Sequence, residues 1–229
     1  MRTKLLLILL LVMATGTAVS QTAEEYMNQG VGYYNAGDPI RAIRTFREAL
    51  RDTTCQDRAR LHLFIGIAYL FPTDTIRTTF VLSLAFCEFD SALKIDSTFP
   101  DAHYWKGKTY ELIADTVGAI EEYRRAVKLN PKYAEAFNQW GVLLYSQGDY
   151  KAATDKFRKA IFCEIKNPVY NATFHFNLSL TYLARERYAD SAEEMERAKR
   201  LNANITGDSR ATMSRPMILD SKQLNGATK

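Results

Sequence analysis

Small and aromatic residues return five times in this chain at related spacing. Gln29-Gly30-Val31-Gly32-Tyr33 overlays Ile65-Gly66-Ile67-Ala68-Tyr69 and Lys106-Gly107-Lys108-Thr109-Tyr110, then Trp140-Gly141-Val142-Leu143-Leu144 and Leu178-Ser179-Leu180-Thr181-Tyr182. Each block is followed by a triplet spaced four and three residues apart: Ala42, Phe46, Ala49; Ala85, Phe89, Ala92; Ala119, Tyr123, Ala126; Ala153, Phe157, Ala160; Ser191, Met195, Ala198. A period of three to four apolar positions is that of an amphipathic helix, so each unit reads as two helices. The small residue of the first helix and the leading Ala of the second allow close approach, and the aromatic fills the space between units. Gly37-Asp38-Pro39 supplies a helix stop, an N-cap and a first-turn Pro in order, and Gly148-Asp149 repeats the stop and cap. One such unit cannot bury its apolar face alone, so the units must stack into a quasi-linear array.

On these residues the chain resembles the tetratricopeptide-repeat family. Units start near residues 23, 59, 100, 134 and 172, giving spacings of 36, 41, 34 and 38 against a family period of 34. About seven residues are inserted in the second unit, around 71–80, and the fifth unit is the weakest. The resemblance implies an all-α fold, a right-handed superhelical solenoid of antiparallel helix pairs over residues 21–205. Residues 206–229 lose periodicity and read as a flexible tail. It contains an apolar island, Met217-Ile218-Leu219, that can dock on the last helix pair.

In this family the first helices line a concave face that holds peptides or helices. The inward positions here are Met27, Val31, Tyr34, Leu63, Ile67, Tyr104, Lys108, Asn138, Val142, Tyr145, Phe176 and Leu180. That strip is apolar and aromatic, with Glu24, Arg60, Asp101 and Glu135 along one edge. It suits burial of a partner's hydrophobic side chains, or coverage by the tail or a second copy. Some members grip a C-terminal carboxylate with Lys, Asn and Arg. The matching positions here hold Met27, Val31, Phe64, Asp101 and Trp105, so that clamp is absent.

Residues 1–20 have the layout of a cleaved secretory signal. Arg2 and Lys4 precede the apolar run Leu5–Met13, and Ala18-Val19-Ser20 stands before a cut ahead of Gln21. The chain is therefore expected to be exported, and periplasmic or secreted if its source is bacterial. Three cysteines, Cys55, Cys87 and Cys163, are too few for a disulfide framework and read as free thiols. The formal charge of +4 is too small to point to nucleic acid. Peripheral membrane association is compatible with the pattern but not indicated by it.

No phosphate loop, zinc-protease motif, nucleophile elbow or CxxC pair is present, so no catalytic, metal, cofactor or small-molecule substrate residues are expected. His62, His103 and His175 share the fourth position of their units and read as packing side chains. Equivalent positions of neighbouring units lie roughly 10 Å apart, too far to converge on a metal. The doublets Glu121-Glu122 and Glu193-Glu194 read as solvated outer faces. Asn171, Asn177 and Asn204 match the glycosylation sequon, with Asn177 inside a helical stretch. The expected function is an exported, non-enzymatic scaffold that binds a protein or peptide. The alternative is a permanent accessory subunit of an envelope assembly, secretion or cell-wall machine.

Overall fold

Residues 22–52, 55–70, 79–163 and 167–202 are described in the structure, a computed structural model. Every regular element among them is a helix. In chain order these are α1 (Ala23–Asn35), α2 (Pro39–Arg51), α3 (Arg58–Leu70), α4 (Thr79–Ile95) and α5 (Pro100–Leu112). They continue with α6 (Thr116–Leu129), α7 (Ala134–Ser146), α8 (Tyr150–Cys163), α9 (Pro168–Ala184) and α10 (Tyr188–Leu201). Four of the five expected starts agree with a helix start to within one residue. The exception is α9, which starts at Pro168 because Asn167 caps it, its side chain accepting from the N–H groups of Val169 and Tyr170.

The turn between the two helices of a unit recurs in atomic detail. After α1 the Asp38 N–H donates to the Tyr33 carbonyl (2.9 Å) and the Gly37 N–H to the Tyr34 carbonyl (3.0 Å). The same pair of bonds closes α5 through Asp115 and Ala114, α7 through Asp149 and Gly148, and α9 through Arg187 and Glu186. This Schellman geometry requires a left-handed residue at its C′ position. Gly37 (φ 91°) and Gly148 (φ 81°) supply it without strain, but Ala114 (φ 60°) and Glu186 (φ 58°) must adopt it with a side chain. Asp38, Asp115 and Asp149 then cap the following helix, each side chain accepting a backbone N–H three residues on at 2.8–3.0 Å.

Packing between the paired helices rests on a glycine against a ring. A Cβ on Gly30 would lie 2.4 Å from the Phe46 ring, one on Gly66 2.5 Å from Phe89, one on Gly107 2.7 Å from Tyr123, and one on Gly141 2.7 Å from Phe157. These four rings and the alanines three and four residues from them are essentially inaccessible to solvent. In the last unit the small residue is Ser179 and the ring is replaced by Met195, a flexible side chain that can accommodate the extra hydroxymethyl group.

Each helix packs on the next in sequence, and first helices also touch across units: α1 on α3, α3 on α5, α7 on α9. No two described second helices make comparable contact. An array held together along its first helices and splayed along its second ones curves with the first helices inside. Polar ties cross between adjacent units, such as Arg47 to the Tyr69 hydroxyl (2.7 Å) and Arg158 to the Tyr182 hydroxyl (2.6 Å). No described helix is long and apolar enough to cross a membrane. The expected leader, the inserted loop core at 71–78 and the tail from 203 lie outside the described residues.

Candidate partner-binding face

The twelve residues expected on the inner strip divide into two groups. Met27, Val31, Tyr34, Leu63 and Ile67 are buried in one continuous core of the first two units together with Phe46, Phe64 and Phe89. Tyr34 has no accessible surface at all. Phe176 belongs to the core between α9 and α10, with Ala198 and Met195. Asn138 is buried at the α7–α9 contact, where the Asn177 Nδ2 donates to its Oδ1 at 2.8 Å. These seven side chains are core, not open strip: apolar groups on facing first helices gain more by closing on each other than by waiting for a ligand. Tyr104, Lys108, Val142, Tyr145 and Leu180, all in units three to five, remain half-buried. They form the accessible part of the candidate face.

Tyr104 is the centre of an aromatic cluster. Its ring centroid lies 5.1 Å from Tyr133, 5.3 Å from Trp105 in an edge-on arrangement, and 5.8 Å from Tyr123. The Tyr133 hydroxyl donates to Asp101 Oδ1 at 2.7 Å, and the Tyr123 hydroxyl donates to Glu111. Lys108 Nζ donates to the other Glu111 oxygen at 3.0 Å. Burial is the main cause that holds the phenols of Tyr104, Tyr123 and Tyr133 well above their ordinary range, helped by the neighbouring carboxylates. These phenols stay neutral donors. Burial likewise raises Asp101 above the usual carboxylate value, although the Tyr133 bond and Arg60 pull the other way. Tyr145 stacks obliquely on Tyr150 at 5.3 Å.

The histidines do pack between paired helices, and each has a carboxylate partner. His62 Nδ1 bonds Glu88 at 2.7 Å, His103 Nδ1 bonds Glu122 at 2.6 Å, and His175 Nδ1 bonds Glu194 at 2.5 Å. The separation is 19 residues in the third and fifth units and 26 in the second, the difference being the seven inserted residues. Glu122 and Glu194 are therefore not part of a solvated doublet. Glu122 is buried and also receives Arg125 at 3.1 Å. A fixed offset between the fourth-position His and a Glu just before the ring position was the signal available in the sequence. Where the fourth position is Phe137, the matching acid is replaced by Lys156, whose ammonium sits 3.6 Å from the Trp140 ring centre. Burial, with help from Lys159, lowers the Lys156 pKa.

Cys55, Cys87 and Cys163 are free thiols. Asn171 and Asn177 are half-buried on α9, and Asn204 lies outside the described residues.

A ring-on-glycine helix pair, repeated with first helices inside, defines a superhelical helix-pair scaffold. The model of a tetratricopeptide repeat matches residues 117–148, spanning α6 and α7. The chain is 29% identical over 150 residues to the type IV pilus assembly protein PilF of Pseudomonas aeruginosa, covering 65% of this chain and 56% of that one. It thus spans little more than half the length of that relative. Among solved structures, residues 41-end of MamA from Desulfovibrio magneticus RS-1 superpose with a TM-score of 0.61 at 20% identity, covering 81% of this chain and 98% of that one. YrrB, described as a tetratricopeptide-repeat protein with an unusual peptide-binding site, superposes with a TM-score of 0.55 at 21% identity, over 80% and 87% of the two chains. Residues 117–148 thus match a tetratricopeptide repeat, and the fold of the described residues is that of a helix-pair repeat solenoid.

Proposed function

We propose that this chain is a non-enzymatic scaffold in an exported compartment that holds a protein or peptide partner on the inner face of its third to fifth units. The observation that carries this reading is the half-buried surface of Tyr104, Lys108, Val142, Tyr145 and Leu180 on the inside of a curved array. Aromatic rings with fixed orientation and low side-chain entropy make good anchors for a partner. The peptide-binding site in the printed description of YrrB supports the mode of use. PilF, described as an assembly protein, supports the second form of the same reading, a permanent subunit of an envelope machine.

The test compares three full-length proteins in capture from an envelope fraction: wild type, Lys108→Glu with Leu180→Glu, and Arg124→Glu. The first two positions face the inner side. Arg124 is exposed and pairs only with Glu121 among the described residues, so it serves as the outer-face control. The inner variant is expected to lose a stoichiometric partner at least tenfold while Arg124→Glu keeps it. The reverse result sinks the inner-face reading. Co-elution of that partner through a sizing column selects the permanent subunit, and transient capture selects the reversible scaffold. Mass spectrometry of the exported protein is expected to find an amino terminus at Gln21. An intact Met1 in a membrane fraction would replace the cleaved signal with an anchor.

A further inference from the structure

We infer that Lys156, with Lys159 beside it, forms a second binding site at the junction of α7 and α8, one that takes the carboxylates of an acidic segment of a partner protein. Units three and four align without a gap, so each residue of unit three has its counterpart 34 positions on. In unit three this junction is a closed ion cluster around a buried acid. Glu122 receives the His103 ring at 2.6 Å and Arg125 at 3.1 Å, with Lys106 3.8 Å away. In unit four three of these residues change together: Phe137 stands for His103, Trp140 for Lys106 and Lys156 for the acid, while Lys159 keeps the charge of Arg125. The acids of the second and fifth units are likewise satisfied within the chain, Glu88 by His62 and Arg47, and Glu194 by His175 and Arg197. Unit four thus keeps the cation and lacks the acid that neutralises it.

Lys156 is half-buried with its ammonium against Trp140, and the Lys159 ammonium lies 5.5 Å from the centre of the buried Phe137 ring. Ring faces stabilise a cation, but they leave the N–H donors of an ammonium without a conventional acceptor. Among the described residues neither lysine has an ion pair or an acceptor, and Asp155, which stands for Glu121, is exposed and pairs with neither. Burial and repulsion from Lys159 hold the Lys156 pKa below its ordinary value, so a carboxylate placed between the two lysines relieves a cost already present. The site is separate from the inner strip and from the family's clamp positions. A nucleic acid or an anionic membrane is met by basic charge that continues across a surface. Here the flanking second helices interrupt it with acids, Glu121 on α6 and Glu193 and Glu196 on α10, so the unpaired charge suits a short run of carboxylates.

The experiment follows binding of a fluorescein-labelled oligoglutamate peptide by fluorescence anisotropy at low salt, with four full-length proteins. These are wild type, Lys156→Gln, Lys151→Gln, and Phe137→His with Trp140→Lys and Lys156→Glu. Lys151 is an exposed residue of the same helix, so its variant loses the same charge away from the site. The triple variant rebuilds the unit-three cluster with that same change in net charge. Wild type and Lys151→Gln are expected to bind alike, and the other two about tenfold more weakly. Equal losses in Lys151→Gln and Lys156→Gln would reduce the attraction to net charge and overturn the inference. The two single variants decide this even if circular dichroism shows that the triple variant does not fold. Tighter Lys156-dependent binding of inorganic phosphate or of phosphatidylglycerol vesicles than of the peptide overturns the choice of ligand. A dimer lost in Lys156→Gln would make a second copy the source of the carboxylates and overturn the choice of partner. None of these outcomes touches Lys108 or Leu180, so the inner-face function stands or falls separately.

Discussion

At the scale of single residues, the decisive contact is a missing Cβ. Gly141 lies against the Phe157 ring so closely that an added methyl would sit 2.7 Å from it, with the buried ring unable to retreat. Gly141→Ala is expected to cost roughly 1–3 kcal/mol through overpacking. Gly32, on the same kind of helix but facing open space, is the matched control. Gly32→Ala is expected to gain about 0.5–1 kcal/mol from helix propensity. Urea denaturation of both decides it, and similar shifts would mean that the ring-on-glycine contact does not set the helix distance. These pairs were legible in the sequence because a small residue and a ring recur at a constant offset. Gly118 shows where the same logic stops. It lies outside the small-residue series, yet its Cβ would meet the Tyr110 ring and Asp115 Oδ2 at 2.8 Å, a tight capped turn that only the fold reveals. Asp101 gives a second residue-level prediction. Burial raises its folded pKa, so its neutral form is favoured on folding. Its contribution is present below the ordinary carboxylate value and is lost as pH rises through the raised folded one. Asn keeps an acceptor for the Tyr133 hydroxyl without the charge. Asp101→Asn is expected to match or exceed wild-type stability at pH 7, with the advantage shrinking toward pH 3. An advantage that grows on acidification would contradict it.

At the scale of elements, four turns share one Schellman geometry but not one residue type at its left-handed position. Ala114 and Glu186 do there what Gly37 and Gly148 do without a Cβ, at a cost of roughly 1–2 kcal/mol. Ala114→Gly and Glu186→Gly are each expected to raise stability by up to about 1 kcal/mol, the part left after glycine's greater unfolded-state entropy. Thermal melts with Gly148→Ala as the opposite control, expected to lose stability, check this. The turn itself could be read from Gly-Asp pairs in the first and fourth units but not in the third and fifth, where the repeat register and not the local residue dictates the backbone. The inner strip was legible only in part for a related reason. Position along a first helix says which way a side chain points, but not how closely the next first helix follows. In the first two units, where Met27, Val31, Leu63 and Ile67 face each other, that closeness turns a groove position into core. The His–Glu pairs were missed because the doublets look solvated one helix at a time; the constant offset from the fourth-position His, 19 residues or 26 with the insertion, is what marks the Glu that turns inward.

At the scale of the whole molecule, described hydrogen bonds reach no further than 39 residues along the chain, from Asn177 to Asn138 in the adjacent unit. Helix contacts likewise join only neighbours in the array. A structure bonded only to its nearest neighbours is expected to open by units, not all at once. The last unit is the natural place to see this. Helix α10 buries little beyond Ala198, its outer side carries the pairs of Arg197 with Glu193 and Lys199 with Glu196, and its apolar hold on α9 is Met195 packed on the Ala172, Phe176 and Ala198 cluster, beside the His175–Glu194 and Ser191–Ser179 bonds. Thus α10 caps the array with a polar face, at the cost of a thin core beneath it. Met195→Asp places a charge in that core and is expected to release α9 and α10 while α1 to α8 remain folded. Hydrogen exchange by mass spectrometry should then show lost protection from Pro168 to Leu201 and near wild-type protection from Ala23 to Cys163. Separation is favoured because the α8–α9 junction retains its own core of Ala153, Phe157, Leu178 and Tyr182 only as long as α9 stays helical. Loss of α9 therefore exposes one apolar face without removing any contact inside the first four units. Uniform loss of protection along the chain would show instead that the array folds as one cooperative block, and the nearest-neighbour description would fail.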